Sequence, residues 1–173
     1  VGPEGYGLWT YAIALYGLVL SGVSLGLETL IPNAYGNDTA RGDRFAGTAL
    51  SLRMAGCIVA GVGLLLYALL LEPAAATRWA IVLVAPALFF RGTALAVRAV
   101  FTGRQQVTRT AAPILAGRIV ELLVGLTIIL AGGGILILLA LHGVCWGIEL
   151  LLAWRRLRQE SSVRLAVPER DAA

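Results

Sequence analysis

Five runs of mostly apolar residues, separated by short polar segments and helix breakers, constrain this chain more than any other feature. Each run is about 20 residues long, the length a helix needs to cross a hydrocarbon core of about 30 Å. The pattern predicts spans over 6–31, 45–71, 79–101, 113–130 and 135–154. The first ends before Pro32-Asn33 and a polar stretch from Tyr35 to Asp43. The second stops at Glu72-Pro73, and polar residues from Thr102 to Thr110 follow the third. Pro113 suits the first turn of the fourth helix, where its missing N–H would lack a partner anyway. Gly132-Gly133-Gly134 then make a tight turn into the fifth. The expected fold class is all-α: a polytopic transmembrane bundle of about five helices within residues 1–158. A polar cytoplasmic tail, 159–173, is expected to be disordered.

Composition agrees with a membrane chain. Hydrophobic residues make up 58% of the sequence and charged residues 14%, against about 25% charged in soluble domains. A net charge of +4 could suggest a nucleic-acid partner. The Arg residues argue against that, because they cluster between apolar runs, where membrane proteins keep them. The chain holds no Lys, so it has no phosphate-loop lysine. Cys57 and Cys145 fall inside apolar runs, form no CxxC pair and read as small packed side chains. Neither a metal site nor a cofactor is expected.

Arg placement sets an orientation. Arg41, Arg44, Arg104, Arg109, Arg155, Arg156 and Arg158 fall on one side of the five spans, and Arg78, Glu4 and Glu72 on the other. The first side is expected to be cytoplasmic. The N-terminal loop then lies outside. That is most easily explained by a helix preceding Val1, so the chain is expected to lack residues upstream. Small residues give helix contacts: Gly22 with Gly26, Gly143 with Gly147, and Gly56 with Ala60 are spaced for close backbone approach in lipid. Pro86 is placed to kink the third helix.

The informative residues are ionisable groups inside the spans: Glu28, Arg53, Arg91, Arg98, Arg118, Glu121 and Glu149. A charge at a helix centre costs about 2.5–3.5 kcal/mol on the insertion scale, so such groups should face the bundle interior or a watery cavity. Spacing puts Gly17, Ser21, Ser24 and Glu28 on one stripe of the first helix, and His142, Cys145 and Glu149 on one stripe of the fifth. Arg91 and Arg98 are seven apart; Arg118 and Glu121 are three apart. Together they predict an inward-opening polar cavity. Arg53 and Arg98 are near enough to the inner ends either to snorkel or to pair. Arg91 lies too deep to snorkel, which favours a cavity role. His142, the only His, is either a packed polar residue or a proton relay.

The opening Val1-Gly2-Pro3-Glu4-Gly5-Tyr6-Gly7-Leu8 resembles the "LGPxxYG" loop between the first two helices of bacterial polysaccharide flippases, in the multidrug/oligosaccharidyl-lipid/polysaccharide exporter superfamily. Ser24-Leu25-Gly26-Leu27 is similar to that family's "xLGL" element, and the stretch from Phe89 to Gln106 to its fourth helix and the following cytoplasmic loop. The loop motif carries the resemblance; the rest is pattern. On this likeness the chain would be helices two to six of a six-helix lobe, a fragment lacking the first helix and the second lobe. The resemblance implies translocation of a polyprenyl-diphosphate-linked oligosaccharide, with membrane lipid and the missing second lobe as partners. Arg91, Arg98, Arg118 and Arg53 would meet the diphosphate, since guanidinium offers charge and a planar fork of donors. Glu28, Glu121 and Glu149 would be cavity acids.

Rival classes are a multidrug or cation-coupled exporter of the same superfamily and a membrane scaffold that transports nothing. A membrane enzyme is disfavoured, because the chain has no HExxH, no DDxxD and no Ser/His pair. Asp38 and Asp43 read as turn formers. The orientation has a direct check. Single cysteines at Glu72 and Gly133 should react with an impermeant thiol reagent added to intact cells, whereas one at Gln105 should not; outside labelling of Gln105 would invert the topology.

Overall fold

A computed structural model describes residues 2–36, 38–160, 163 and 165. These form helices only: α1 (Pro3–Ser24), α2 (Leu27–Ala34), α3 (Thr39–Leu70), α4 (Ala75–Gly103), α5 (Thr108–Leu130) and α6 (Ile135–Glu160). With α1 and α2 taken as one broken span, five helical segments are long and apolar enough to cross a membrane. The bundle has the surface of a protein built for lipid. Leu18, Val59, Leu70, Leu122 and Leu130 are all exposed, while Arg53 and Glu149 are buried. In water that arrangement would forfeit the hydrophobic driving force; in hydrocarbon, apolar side chains lose nothing by facing outward.

The first span is not one helix. Leu25 and Gly26 both take left-handed conformations, at φ 48° and 71°, within the Ser24-Leu25-Gly26-Leu27 element. A side chain at Leu25 makes this costly, by about 1–2 kcal/mol, and two such residues in succession end α1. The Gly26 carbonyl then starts α2, accepting from Thr29 and Leu30 N–H at 2.9 and 3.0 Å. The expected stripe Gly17–Ser21–Ser24–Glu28 spans this break, and the Ser24 hydroxyl still donates to Glu28 across it at 3.4 Å. The Gly22–Gly26 pair is not a helix contact: a Cβ at either position would meet nothing within 4 Å among the described residues. Gly143 and Gly147 do let α6 approach α4, with an added Cβ 3.8 Å from the Leu83 carbonyl and 3.5 Å from the Phe90 ring.

The helices run past the expected spans because their ends are capped. Asp38 is the N-cap of α3, its carboxylate accepting from the Ala40 N–H at 2.8 Å, so the helix starts at Thr39 rather than 45. At the end of α5, Gly132 at φ 76° closes a Schellman motif, with Gly133 N–H to Ile128 at 2.8 Å and Gly132 N–H to Ile129 at 3.0 Å. The same motif ends α4 on Gln105, where a non-glycine residue holds φ 58°. Pro113 is inside α5, not in its first turn. Its missing N–H leaves the Arg109 carbonyl, four residues earlier, without its helical donor. Arg156 of α6 donates to that carbonyl instead. α6 continues through Glu160, past the expected end of the span at 154, so Arg155, Arg156 and Arg158 stand on its last turns. Cations suit the last turn of a helix. The remainder of the expected tail lies outside the described residues, save Val163 and Leu165.

α4 is the axis of the bundle, packing against α1, α2, α3 and α6. Its buried residues include Ala80, Ala85, Ala87, Gly92, Ala94, Ala96 and Ala99, small enough for neighbours to approach on several sides. At the Arg-rich end Tyr35, which follows α2, wedges between Gly42 of α3 and Gly103 of α4. The Tyr35 hydroxyl donates to Asp43 at 2.7 Å, and Arg104 Nε and Nη2 donate to the same carboxylate at 3.2 and 2.6 Å. Asp43 is thus not the turn former expected from sequence but a buried residue tying three helix ends together. Burial, reinforced by the bond to Asp43, pushes the Tyr35 phenol above its ordinary pKa.

A Cβ at Gly42 would fall on the Tyr35 ring, within 2.7 Å of several ring atoms. Gly42→Ala is expected to destabilise the bundle by about 1–3 kcal/mol, the range for overpacking. In the Tyr35→Ala background the same change should be nearly neutral. Thermal unfolding of the four proteins in detergent measures this cycle, and equal costs in both backgrounds would place the strain elsewhere.

Candidate functional site

The intramembrane charges gather around one aromatic ring. His142, Trp146 and Glu149 are spaced four and three apart on α6, one face of a helix. The expected stripe had Cys145 in the middle place; Trp146 occupies it. Trp146 is buried, with the guanidinium carbons of Arg118, Arg91 and Arg98 at 4.2, 5.0 and 5.4 Å from its ring centre. These distances are within cation–π range. Two cations come from α4 and one from α5, so no single helix displays the site.

Carboxylates compensate two of the three cations. Glu149, with only 1% of its side chain exposed, forms an ion pair with Arg98 through Oε1 and meets Arg118 at 3.5 Å through Oε2. Arg118 also pairs with Glu121, one turn along α5. Glu121 in turn bonds His142 Nδ1 at 2.6 Å, and the Trp146 indole N–H donates to His142 Nε2 at 3.2 Å. Arg98, offered by sequence as snorkelling or pairing, pairs.

Arg91 differs. It donates from Nη1 to the Tyr16 hydroxyl at 3.2 Å and lies over the Tyr16 and Trp146 rings. Among the described residues it meets no carboxylate, and its Nε is buried without a partner. Arg98 Nε is likewise buried and unpartnered. Counting Arg91, Arg98 and Arg118 against Glu121 and Glu149, with His142 neutral, leaves the cluster one positive charge in excess. A low-dielectric interior makes that excess costly.

Arg53 and Glu28 form a separate unit. Arg53, 1% exposed, donates from Nε to the Gly92 carbonyl at 3.1 Å and pairs with Glu28 at 3.4 Å. The approach depends on Gly92, where a Cβ would collide with Cys57 Sγ. Arg53 is therefore buried and paired, not snorkelling. Its charge is matched by Glu28 and adds nothing to the excess at Trp146.

Grooves on the bundle have mostly apolar linings. One of about 300 Å³ runs between Met54 of α3, Phe90 and Thr93 of α4, and Leu150 and Trp154 of α6. Another, of about 390 Å³, lies between Trp9 of α1, Gly125 of α5 and Leu138 of α6, and reaches Glu121. Glu121 is the one expected site residue lining these two grooves; the four Arg, Glu28 and Glu149 do not line them. No three His, Cys, Asp or Glu side chains among the described residues gather to hold a metal ion.

Sequence reasoning singled out all seven charges but not Trp146 or Tyr16. The signal for Trp146 was its place between His142 and Glu149 at helical spacing, and for Tyr16 only its position in an apolar helix. Fold and site together define a helical bundle of the multi-pass membrane class with a cationic, aromatic-lined polar core. Neither family models, nor curated proteins, nor solved structures match the chain.

The double role of Glu149 makes a stability test. Glu149→Gln removes the carboxylate shared by Arg98 and Arg118 and is expected to cost about 3–5 kcal/mol, as for breaking a buried pair from one side. Adding Arg98→Gln should recover part of that loss. Membrane abundance and thermal stability of the single and double variants are the measurements, and a double variant no better than Glu149→Gln alone would show that Arg98 is not held by this carboxylate.

Proposed function

We propose that this chain forms part of a bacterial inner-membrane flippase that moves a polyprenyl-diphosphate-linked oligosaccharide outward, with its Arg-rich end and C-terminal tail in the cytoplasm. The observation that carries the reading is Arg91: a guanidinium inside the bundle, with no carboxylate partner among the described residues, beside two other Arg that bring spare donor capacity. A diphosphate supplies what the site lacks, namely negative charge and several acceptor oxygens for guanidinium forks. Unpaired cations inside membranes commonly mark substrate pathways. Tyr16 and Trp146 offer flat faces and polar edges of the kind that sugars and guanidiniums both accept. The lipid tail needs no polar site, since it can remain in the bilayer.

The Arg-rich end supports the orientation. Arg104 bonds Asp43, and Arg156 of α6 donates to Arg109 of α5, so the cationic termini and loops meet at one end of the bundle. Positive loops face the cytoplasm. In this reading the remaining helices of the transporter would close the groove that reaches Glu121, and one lobe would rock against the other around the cluster.

In a producing bacterium, Arg91→Ala is expected to lower surface polysaccharide more than tenfold while the protein stays in the membrane. That loss corresponds to removing one charge-assisted contact, about 1.5–3 kcal/mol. Arg91→Lys should recover part, because the charge returns without the planar fork. Normal export by Arg91→Ala would remove the anion-binding role.

A further inference from the structure

We infer that His142 is a proton-binding site coupled, through the indole of Trp146, to anion binding at Arg91, Arg98 and Arg118. This rests on reading the arginine cluster as an anion site and adds the ion that acts with it.

The tautomer of His142 follows from its partners. An indole N–H can only donate. Trp146 Nε1 donates to His142 Nε2 at 3.2 Å, so Nε2 must be the unprotonated nitrogen. The ring proton is then on Nδ1 and is donated to Glu121 at 2.6 Å. This bonding pattern is that of a neutral imidazole with its basic nitrogen covered by a tryptophan N–H.

Protonation changes three things together. Nε2 takes a proton from water and becomes an N–H, so it can no longer accept from Trp146 and the two donors repel. The Nδ1–H···Glu121 bond becomes an ion pair, which draws Glu121 toward His142 and lessens its hold on Arg118. The ring that loses its hydrogen bond is the one on which all three guanidiniums rest. The excess charge of the cluster also rises by one. Each change makes the arginines more available to an anion, so proton and anion bind together, each strengthening the other.

The surroundings of His142 suit such a site. From α1, Trp9 and Tyr16 pack edge-on at 6.1 Å. α4 supplies Arg91 and Arg98 across the Trp146 ring, α5 supplies Glu121 and Arg118, and α6 supplies Glu149 and the buried thiol Cys145. A bound anion would offset the positive charge that the three Arg place beside this ring. Glu121 also lines the groove between α1, α5 and α6, which gives a proton a route to the pair. Histidine ordinarily changes charge between about pH 5 and 8, and this chain has only one, so its signals are unambiguous.

The test uses the full chain in lipid nanodiscs with ¹⁵N-labelled His and Trp. At pH 8, NMR should show His142 protonated on Nδ1 alone. Toward pH 5, Nε2 should gain its proton with the same midpoint at which the Trp146 indole N–H signal moves. Inorganic sulfate, whose own charge is constant over this range, should bind about tenfold more tightly at pH 5 than at pH 8 by calorimetry, within the usual range of coupling between sites. His142→Gln should remove that pH dependence. Trp146→Phe, which keeps a ring under the arginines but loses the N–H, should let His142 titrate with a smaller change in sulfate affinity than in the unaltered chain. An Nε2 proton at pH 8, a Trp146 signal indifferent to His142, pH dependence surviving in His142→Gln, or pH dependence undiminished in Trp146→Phe would overturn the proposal. Sulfate binding that needs Arg91 but ignores pH would overturn the coupling and leave the anion site standing. Sulfate binding that does not need Arg91 would instead bring down the anion site and the coupling built on it.

Discussion

A guanidinium cannot lie alone in a low-dielectric interior, and much of this bundle is arranged around that constraint. Glu149 is the residue that meets it most directly. Buried on α6, it bonds Arg98 of α4 through one oxygen and reaches Arg118 of α5 through the other. Three helices are thereby tied at one carboxylate. Trp146, one turn earlier, gives the same cations an aromatic face, and Arg91 completes the ring of charge around it. Removing the acid would strand Arg98 and leave Arg118 to Glu121 alone; removing the ring would strip a favourable face from three cations.

The excess of one positive charge separates the Trp146 cluster from the Arg53–Glu28 pair. Arg53 with Glu28 is a balanced pair whose other bond goes to a helix carbonyl. It has the character of a clasp between α2, α3 and α4. In the Trp146 cluster Arg91 has a phenol and aromatic faces where a carboxylate would be expected, while buried guanidinium N–H groups without acceptors occur in both units, on Arg91, Arg98 and Arg53. Buried unsatisfied donors are uncommon in folded proteins and call for an explanation. On the function proposed above, an anionic headgroup would provide one.

The Arg-rich end has a different logic. There the contacts join loops and helix termini, not the middles of spans. Tyr35 wedged between Gly42 and Gly103, the Asp43 carboxylate held by Tyr35 and Arg104, and Arg156 Nη1 on the Arg109 carbonyl that Pro113 deprives of its helical donor each link segments distant in sequence. Orphan groups at helix ends must find partners. This end finds them in side chains of neighbouring helices, which fastens α2, α3, α4, α5 and α6 at one level.

The amino-acid sequence by itself determined that the chain is helical, that five segments can cross a membrane, and which seven charges lie within them. Those properties follow from local physics: apolar length, breaker residues and the cost of charge in lipid act on each segment separately. The ends of the helices were less legible, because caps such as Asp38 and the left-handed pair Leu25–Gly26 decide them through single hydrogen bonds and dihedral angles. Only the tertiary structure decided which charges neutralise each other. Arg118 had Glu121 one turn away, but Arg98 found its acid 51 residues on, and Arg91 found none among the described residues. It also promoted Asp43 from loop to buried anchor and placed Trp146 beneath three cations. Such choices depend on how helices rotate and approach one another, which the packing of small residues along α4 sets and which no single helix encodes.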